Sequence, residues 1–325
     1  MMMVSYLRHR SLLTGLAATA ALVATLCGCR DTPLPSSQPA RLRIFVSILP
    51  QKYFVERVGG DEVQVEALIG PGQNHHTYEI TPQQAARLAR ADAFCRLGLP
   101  FEDSLLRKLA SAYTNLRIVN THEDTPWRFT KAEELGDIHA HAHGSDEECP
   151  THHAGELDPH IWLNPRLVKL QAASICRALQ ELRPAAARRF QENLTAFQAD
   201  LDALDQQLSA VLAPFRGREF FVFHPAFGYL ADAYGLRQVA VETGGKEPSA
   251  RRLAELITQA RSSGTKLIFV QPQFPTRSAE ALAREIGGAV VAIDPMAENY
   301  IENLESMAAA IASAFADGHS AGNGR

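Results

Sequence analysis

The sequence predicts an α/β protein with two β/α lobes, each built on a parallel sheet and joined by a long rigid helix. Three observations lead to this prediction. Short β-branched, apolar runs alternate with helical patterns from Arg41 onward. A long amphipathic stretch interrupts the alternation, which then resumes in the last third of the chain. Strands that alternate with helices lie parallel, because each helix carries the chain back to the edge from which the next strand starts.

The first lobe is predicted from four strand-like runs separated by helical or loop segments. The first of two helices covers 81–91, with Thr81 as N-cap and Pro82 at the first helical position, and the second covers 101–111. The predicted strands are 42–49, 63–69, 93–97 and 116–120.

Two helical stretches follow in the middle of the chain. The first covers 166–182 and stops before Pro184, and the second covers 185–212. At about 1.5 Å per residue the second helix would be about 42 Å long, enough to run along a two-lobed molecule. Its apolar positions are three and four residues apart, which indicates one buried stripe. They are Phe190, Leu194, Phe197, Leu201, Leu204 and Leu208.

The alternation resumes after this helix and predicts the second lobe. The predicted strands are 219–223, 238–241, 267–270 and 290–293, and the predicted helices are 225–234, 249–262, 277–286 and 299–315. We therefore divide the folded part of the chain into an N-terminal lobe at 41–183, a linking helix at 184–213 and a C-terminal lobe at 214–325.

The N-terminal segment 1–28 is typical of a secretory signal peptide. A basic flank with Arg8 and Arg10 precedes an apolar run over 12–26, which ends at small residues. At about 15 residues the run is short for a membrane span, which needs roughly 20. An uncleaved anchor helix is the alternative.

The end of this segment resembles a bacterial lipobox. In Leu26-Cys27-Gly28-Cys29 the lipid would be attached to Cys29, since bulky Leu26 fits poorly at the cleavage position that Cys27 would require. The following residues, 29–40, are rich in proline and serine and predict a polar tether. The sequence thus predicts an extracytoplasmic protein anchored by lipid to a bacterial membrane, either on the periplasmic side or at the cell surface.

Composition and charge restrict the classes of partner. Of the 325 residues 46% are hydrophobic and 21% are charged, and the formal net charge is −4. No lysine or arginine cluster is evident, so we expect no nucleic-acid partner. Cys95, Cys149 and Cys176 are widely spaced and form no disulfide framework, which leaves one bridge or buried thiols as alternatives.

A histidine-rich segment, 137–156, breaks the β/α pattern. It contains several acids and almost nothing apolar, so we expect a solvated loop. Such a composition is typical of low-affinity metal capture, and a charged linker is the alternative. The histidines are His139, His141, His143, His152 and His153.

Four further side chains are candidate metal ligands. His76 lies in a loop after a predicted strand, and His224 and Asp294 directly follow predicted strands. His160 follows Pro159, which prevents a helix through that point. Ligands bind outside the carboxyl ends of parallel strands, so these groups are expected to converge. Three imidazoles and one carboxylate suit tetrahedral zinc, and a shell supplied entirely by the protein favours transport over catalysis.

The segments that carry these residues resemble those of a known family, the zinc/manganese ABC-transporter solute-binding lipoproteins. The resemblance covers nearly the whole mature chain in the right order. It rests on 71–79 (PGQNHHTYE), 158–165 (DPHIWLNP), 223–229 (FHPAFGY) and 294–297 (DPMA).

The resemblance implies a fold, a ligand set and a task. His76, His160, His224 and Asp294 would hold the metal in the cleft between the lobes. A protein of this family delivers its metal to a membrane permease that a cytoplasmic ATPase powers. We expect a monomer that binds Zn²⁺ and is not an enzyme.

Two positions bear on the ligands and the metal. The family commonly has proline before the first ligand, whereas this chain has His75; either histidine could coordinate, and position favours His76. At the third position manganese binders tend to carry glutamate and zinc binders histidine. His224 therefore favours Zn²⁺ over Mn²⁺.

Other classes of function have less support. A zinc-dependent hydrolase would be expected to show His-Glu-x-x-His, or a nucleophile elbow between a strand and a helix. The sequence has no His-Glu-x-x-His and no such elbow after a predicted strand. A host-surface adhesin would be expected to carry an added binding module, and the sequence shows none. Around the predicted site we expect Trp162 to pack and Gln271 to form hydrogen bonds, and Glu79 either to orient a ligand or to face solvent.

Overall fold

The computed structural model describes residues 40–109, 115–131, 134, 155, 157–242 and 246–320. The predictions for Cys29, Cys149 and the five histidines of 137–156 lie outside the described residues. No described helix has the length and apolar character that crossing a bilayer requires.

The N-terminal lobe is a four-stranded parallel sheet in the order β2-β1-β3-β4. Thr81 caps its second helix as predicted: the hydroxyl accepts the backbone N–H of Gln84, whose side chain returns to the Thr81 backbone. The strands are β1 (Leu42–Val46), β2 (Val63–Ala67), β3 (Ala93–Arg96) and β4 (Arg117–Asn120), and the helices are α1 (Leu49–Gly59), α2 (Pro82–Leu88) and α3 (Pro100–Leu109).

The C-terminal lobe repeats this plan, with the strand order β6-β5-β7-β8, all parallel. Its strands are short and apolar, as predicted. They are β5 (Glu219–Val222), β6 (Arg237–Ala240), β7 (Leu267–Val270) and β8 (Ala289–Ala292). The helices α6 (Gly228–Tyr234), α7 (Ala250–Ser263) and α8 (Arg277–Ile286) cover this sheet.

Three helices pack together where the lobes meet. They are α4 (Pro165–Leu182), α5 (Ala187–Leu212) and α9 (Tyr300–Ser320). The 26-residue α5 is the predicted linking helix, and its predicted apolar stripe is buried. It packs against α1, α4 and α9, so elements of both lobes rest on one helix.

One of the two buried apolar clusters extends across this junction. Phe94 of β3, Phe197 of α5 and Phe220 of β5 belong to the same buried cluster. Phe54 of α1 packs edge-on against Tyr300 of α9, with 4.8 Å between the ring centroids. Because close packing resists deformation, this core holds the two lobes in one arrangement.

The two cysteines in the described residues lie in this core. Cys95 and Cys176 are both free and buried, so the alternative of a bridge between them is wrong. Burial raises the pKa of the Cys95 thiol to about 12, which keeps it protonated and inert.

Candidate metal centre

Four histidines converge in the cleft between the lobes. They are His75, His76, His160 and His224, each of which offers one ring nitrogen, and these atoms lie within 4.8 Å of one another. No other such group of three or more histidine, cysteine or acidic side chains occurs among the described residues. All but His76, which is partly exposed, are buried.

The loop after β2 supplies two of these side chains. The backbone N–H of His76 donates to Oδ1 of Asn74 at 2.8 Å, which turns the chain locally. The rings of His75 and His76 are 4.0 Å apart between centroids, and His75 is 5.2 Å from His160. Adjacent residues of this loop therefore both face the centre.

His160 is held by the carboxylate two residues before it. Oδ1 of Asp158 lies 2.8 Å from Nδ1 of His160 and also accepts the His160 backbone N–H at 3.0 Å. The carboxylate thereby favours the tautomer with hydrogen on Nδ1, in which Nε2 is the coordinating nitrogen. Burial, together with the charges of His224 and Arg128, holds the pKa of His160 well below its ordinary value. A neutral imidazole is the form that binds metal.

His224 is held from three sides. Its Nδ1 lies 2.6 Å from Oε1 of Glu242, a buried residue just beyond β6. The amide of Gln271 pairs with the His224 backbone, accepting its N–H at 3.0 Å and donating to its carbonyl at 2.9 Å. The ring of Phe274 stacks on the imidazole with the centroids 4.4 Å apart. The predicted hydrogen-bonding role of Gln271 is confirmed.

Asp294 is not a member of the four-histidine group. Its Oδ1 accepts the side-chain amide of Gln273 at 2.7 Å and the backbone N–H of Met296 at 2.9 Å. Of the four predicted ligands, the structure thus brings together His76, His160 and His224, and adds His75 to them.

Trp162 links the His160 segment to the loop that contains Asp294. Its indole N–H donates to the carbonyl of Pro295 at 2.8 Å, and the hydroxyl of Tyr300 donates to the Trp162 carbonyl at 2.8 Å. The side chain is fully buried, so it packs as predicted and also joins the two lobes. Glu79 is exposed, the second of the two alternatives given for it.

Sequence reasoning missed two residues at this site. Glu242 carried a weak signal, since it follows a strand at the edge of the sheet where His224 also lies. Arg128, whose guanidinium donates to Asp158 at 2.8 Å, carried none, because it lies in an irregular segment with no recognisable motif.

Known proteins of similar sequence include metal-binding and zinc-uptake proteins. The profile of a family described as zinc-uptake complex component A, periplasmic, matches residues 44–314. A putative metal-binding protein of Chlamydia muridarum is 29% identical over 280 residues, which cover 86% of this chain and 92% of that protein. The high-affinity zinc uptake system protein ZnuA of Yersinia pestis is 28% identical, over 82% of this chain and 87% of its own.

A solved structure of similar fold is also that of a ZnuA protein. The crystal structure of a zinc-bound ZnuA deletion mutant aligns with a TM-score of 0.74 and 39% identity, over 85% of this chain and 98% of that one. The two parallel-sheet lobes, the linking helix and the cleft between them define a solute-binding protein. The chain belongs to the zinc-uptake component A family. The resemblance drawn from the sequence and the predicted fold are thereby confirmed, and the family is one of uptake-complex components rather than of enzymes.

Proposed function

We propose that this protein captures Zn²⁺ outside the cytoplasm and delivers it to the membrane permease of an ABC transporter. The observation that carries the proposal is the convergence of four imidazoles from separate segments in one largely buried cleft. A cluster of this kind has little structural use without a metal, because buried imidazoles forgo hydration.

The dimensions of the cluster suit zinc. Nε2 of His76 and Nε2 of His224 are 3.1 Å apart. Zinc–nitrogen bonds of about 2.0–2.1 Å in tetrahedral geometry place two ligand nitrogens about 3.3 Å apart. Small rotations of the rings would therefore seat the ion. A nitrogen-rich shell also favours Zn²⁺ over Mn²⁺, which prefers oxygen ligands.

For the ligands, we propose His76, His160 and His224 as three members of the set. The fourth position has two candidates, His75 and the predicted Asp294. Proximity favours His75, since its ring nitrogen belongs to the compact group and the Asp294 carboxylate does not. A shell of four imidazoles would carry no ligand charge, and this suits a carrier that must later release its ion.

The place of action follows from the family and from the N-terminal sequence. The relatives include periplasmic and lipoprotein members. We propose that Cys29 carries a lipid anchor, that the protein acts as a monomer, and that its partners are a permease and the ATPase of that permease. Zinc is the cargo of this process and not a resident cofactor.

Metal analysis tests the proposal directly. The protein purified without added metal is titrated with Zn²⁺ against a chelator of known affinity, and then with Mn²⁺ in competition. We expect one zinc per chain and displacement of manganese by zinc. A preference for manganese would overturn the choice of metal and leave transport standing. Esterase activity that depends on bound zinc would instead support a hydrolase.

A further inference from the structure

The guanidinium of Arg128 contacts the carboxylate of Asp158, which in turn contacts His160. The side chain is only 7% exposed. Nη1 donates to Oδ2 of Asp158 at 2.8 Å, and Oδ1 of the same carboxylate meets Nδ1 of His160 at 2.8 Å. The backbones of Arg128 and Asp158 are joined as well, because the Asp158 N–H donates to the Arg128 carbonyl at 2.9 Å.

The same guanidinium contacts two other segments of the chain. Nε donates to Oδ2 of Asp232 in α6 at 2.8 Å, and Nη2 donates to Oε1 of Glu134. A fork of rigid, planar geometry thus binds three carboxylates, one of them from the C-terminal lobe. Asp232 also accepts from Lys131 at 3.0 Å, which offsets part of the surplus negative charge.

The start of α6 is shaped around this group. A Cβ at Gly228 would lie 2.1 Å from Nη1 of Arg128 and 2.6 Å from Oδ2 of Asp158, so a larger residue would displace these groups. The next residue, Tyr229, accepts the backbone N–H of Arg128 at its hydroxyl at 2.8 Å. The C-terminal lobe therefore touches the residues behind His160 through three neighbouring positions, Gly228, Tyr229 and Asp232.

We propose that Arg128 is a positioning residue for metal capture. It fixes the Asp158 carboxylate, and through it the orientation of the His160 imidazole, in a manner that depends on the docked C-terminal lobe. Without the guanidinium, the carboxylate loses a charged donor that holds its Oδ2. Mutation of a residue that orients a metal ligand typically lowers the metal affinity by about 10–100-fold. The inference rests on the proposed function, since it presumes that His160 binds the ion.

The experiment compares variants of the full chain by zinc affinity, by the visible spectrum of the Co²⁺ complex and by the thermal midpoint of the metal-free protein. Arg128→Lys keeps the charge but cannot hold three carboxylates in a fixed fork. We expect it to weaken zinc binding about 10–100-fold and to shift the Co²⁺ bands. The matched control is Arg183→Lys, which alters a partly buried arginine that contacts Glu62 at 2.6 Å at the far end of α4. It should keep zinc affinity within about 2-fold.

A double-mutant cycle separates positioning from mere stability. If Arg128 acts through Asp158, then Arg128→Lys added to Asp158→Asn should cause no further loss of affinity. An additive loss, or wild-type affinity and spectrum in Arg128→Lys despite a lower thermal midpoint, would leave Arg128 a structural residue only.

Asp232→Asn provides the second route if Arg128→Lys does not fold, because Asp232 is 44% exposed and lies in the other lobe. We expect about a 2–5-fold loss of zinc affinity, less than for Arg128→Lys because Asp158 keeps its contact with the guanidinium. Unchanged affinity there would overturn the dependence on the C-terminal lobe. A wild-type protein that binds neither Zn²⁺ nor Co²⁺ would remove the proposed function itself, whereas tight wild-type binding with unaffected variants would remove this inference alone.

Discussion

Nε2 of His76 and Nε2 of His224 lie 3.1 Å apart, although 148 positions separate the two residues in the chain. One belongs to the loop after β2 in the N-terminal lobe, and the other follows β5 in the C-terminal lobe. A bound ion would therefore tie the lobes together at this point. Zinc should stabilise the folded chain by mass action, in proportion to the logarithm of its free concentration.

The identity of the fourth ligand can be decided by a pair of substitutions. His75→Ala should weaken zinc binding about 10-fold or more, because it removes an imidazole from the compact group. Asp294→Ala should change the affinity by less than about 3-fold, since its carboxylate is not a member of that group. Chelator competition gives both constants. The reverse ranking would make Asp294 the fourth ligand and would exclude His75 from the coordination shell.

Glu242 should matter for zinc affinity although it touches no metal. Glu242→Gln removes the charge that holds Nδ1 of His224, and we expect about a 10–100-fold loss of affinity with a native fold. Glu192→Gln serves as the control, because it alters an exposed ion pair with Arg188 on α5. Affinity equal to wild type in Glu242→Gln would mean that Gln271 and Phe274 suffice to orient the imidazole.

Trp162 should connect stability with metal retention. Trp162→Phe deletes the hydrogen bond to the Pro295 carbonyl and some buried surface, so the free energy of unfolding should fall by about 1–3 kcal/mol. Tyr300→Phe removes the companion bond to the Trp162 carbonyl at a cost of about 1 kcal/mol. Urea unfolding measures both losses. Stopped-flow release to a chelator should also show faster zinc dissociation in Trp162→Phe, and an unchanged rate would limit the residue to stability.

The stability of the metal-free protein should depend on His122 below neutral pH. Burial, and then the charge of Arg96, lowers the pKa of His122, whose ring lies 5.3 Å from that of Trp127. The folded state therefore prefers the neutral ring, and the unfolded chain takes up the proton first, near pH 6.5. The contribution is present above that pH and is lost as the pH falls toward the folded pKa.

His122→Phe keeps the ring and removes the titration. The decline in the free energy of unfolding between pH 7.5 and 5.5 should become shallower in this variant. One histidine can contribute at most about 1.4 kcal/mol per pH unit, and this half-buried ring should contribute less. Urea titrations at the two pH values measure the difference. Parallel pH profiles in the two proteins would show that His122 keeps its ordinary pKa when folded.

Most of the order of elements could be predicted from the sequence because it depends on local periodicity, but helix α1 (Leu49–Gly59) was not predicted. Strand Leu267–Val270 and helix Arg277–Ile286 lie where the pattern of apolar residues predicts them. The end of β1 differs from the prediction. The predicted strand 42–49 ends at Val46, because Pro50 fits the first turn of α1. Boundaries of this kind depend on backbone pairing as well as on hydrophobicity.

The metal site, too, could be predicted only in part from the sequence. His76, His160 and His224 could be predicted from the sequence, because each is a metal-binding residue type in a motif with a defined place relative to strands or turns. The tertiary structure alone decided that His75 joins the group and Asp294 does not. It also decided that Glu242 and Arg128 support the histidines. Those relationships join residues from different segments, and only the packing of the two lobes on one core determines which side chains come within a few ångströms of each other.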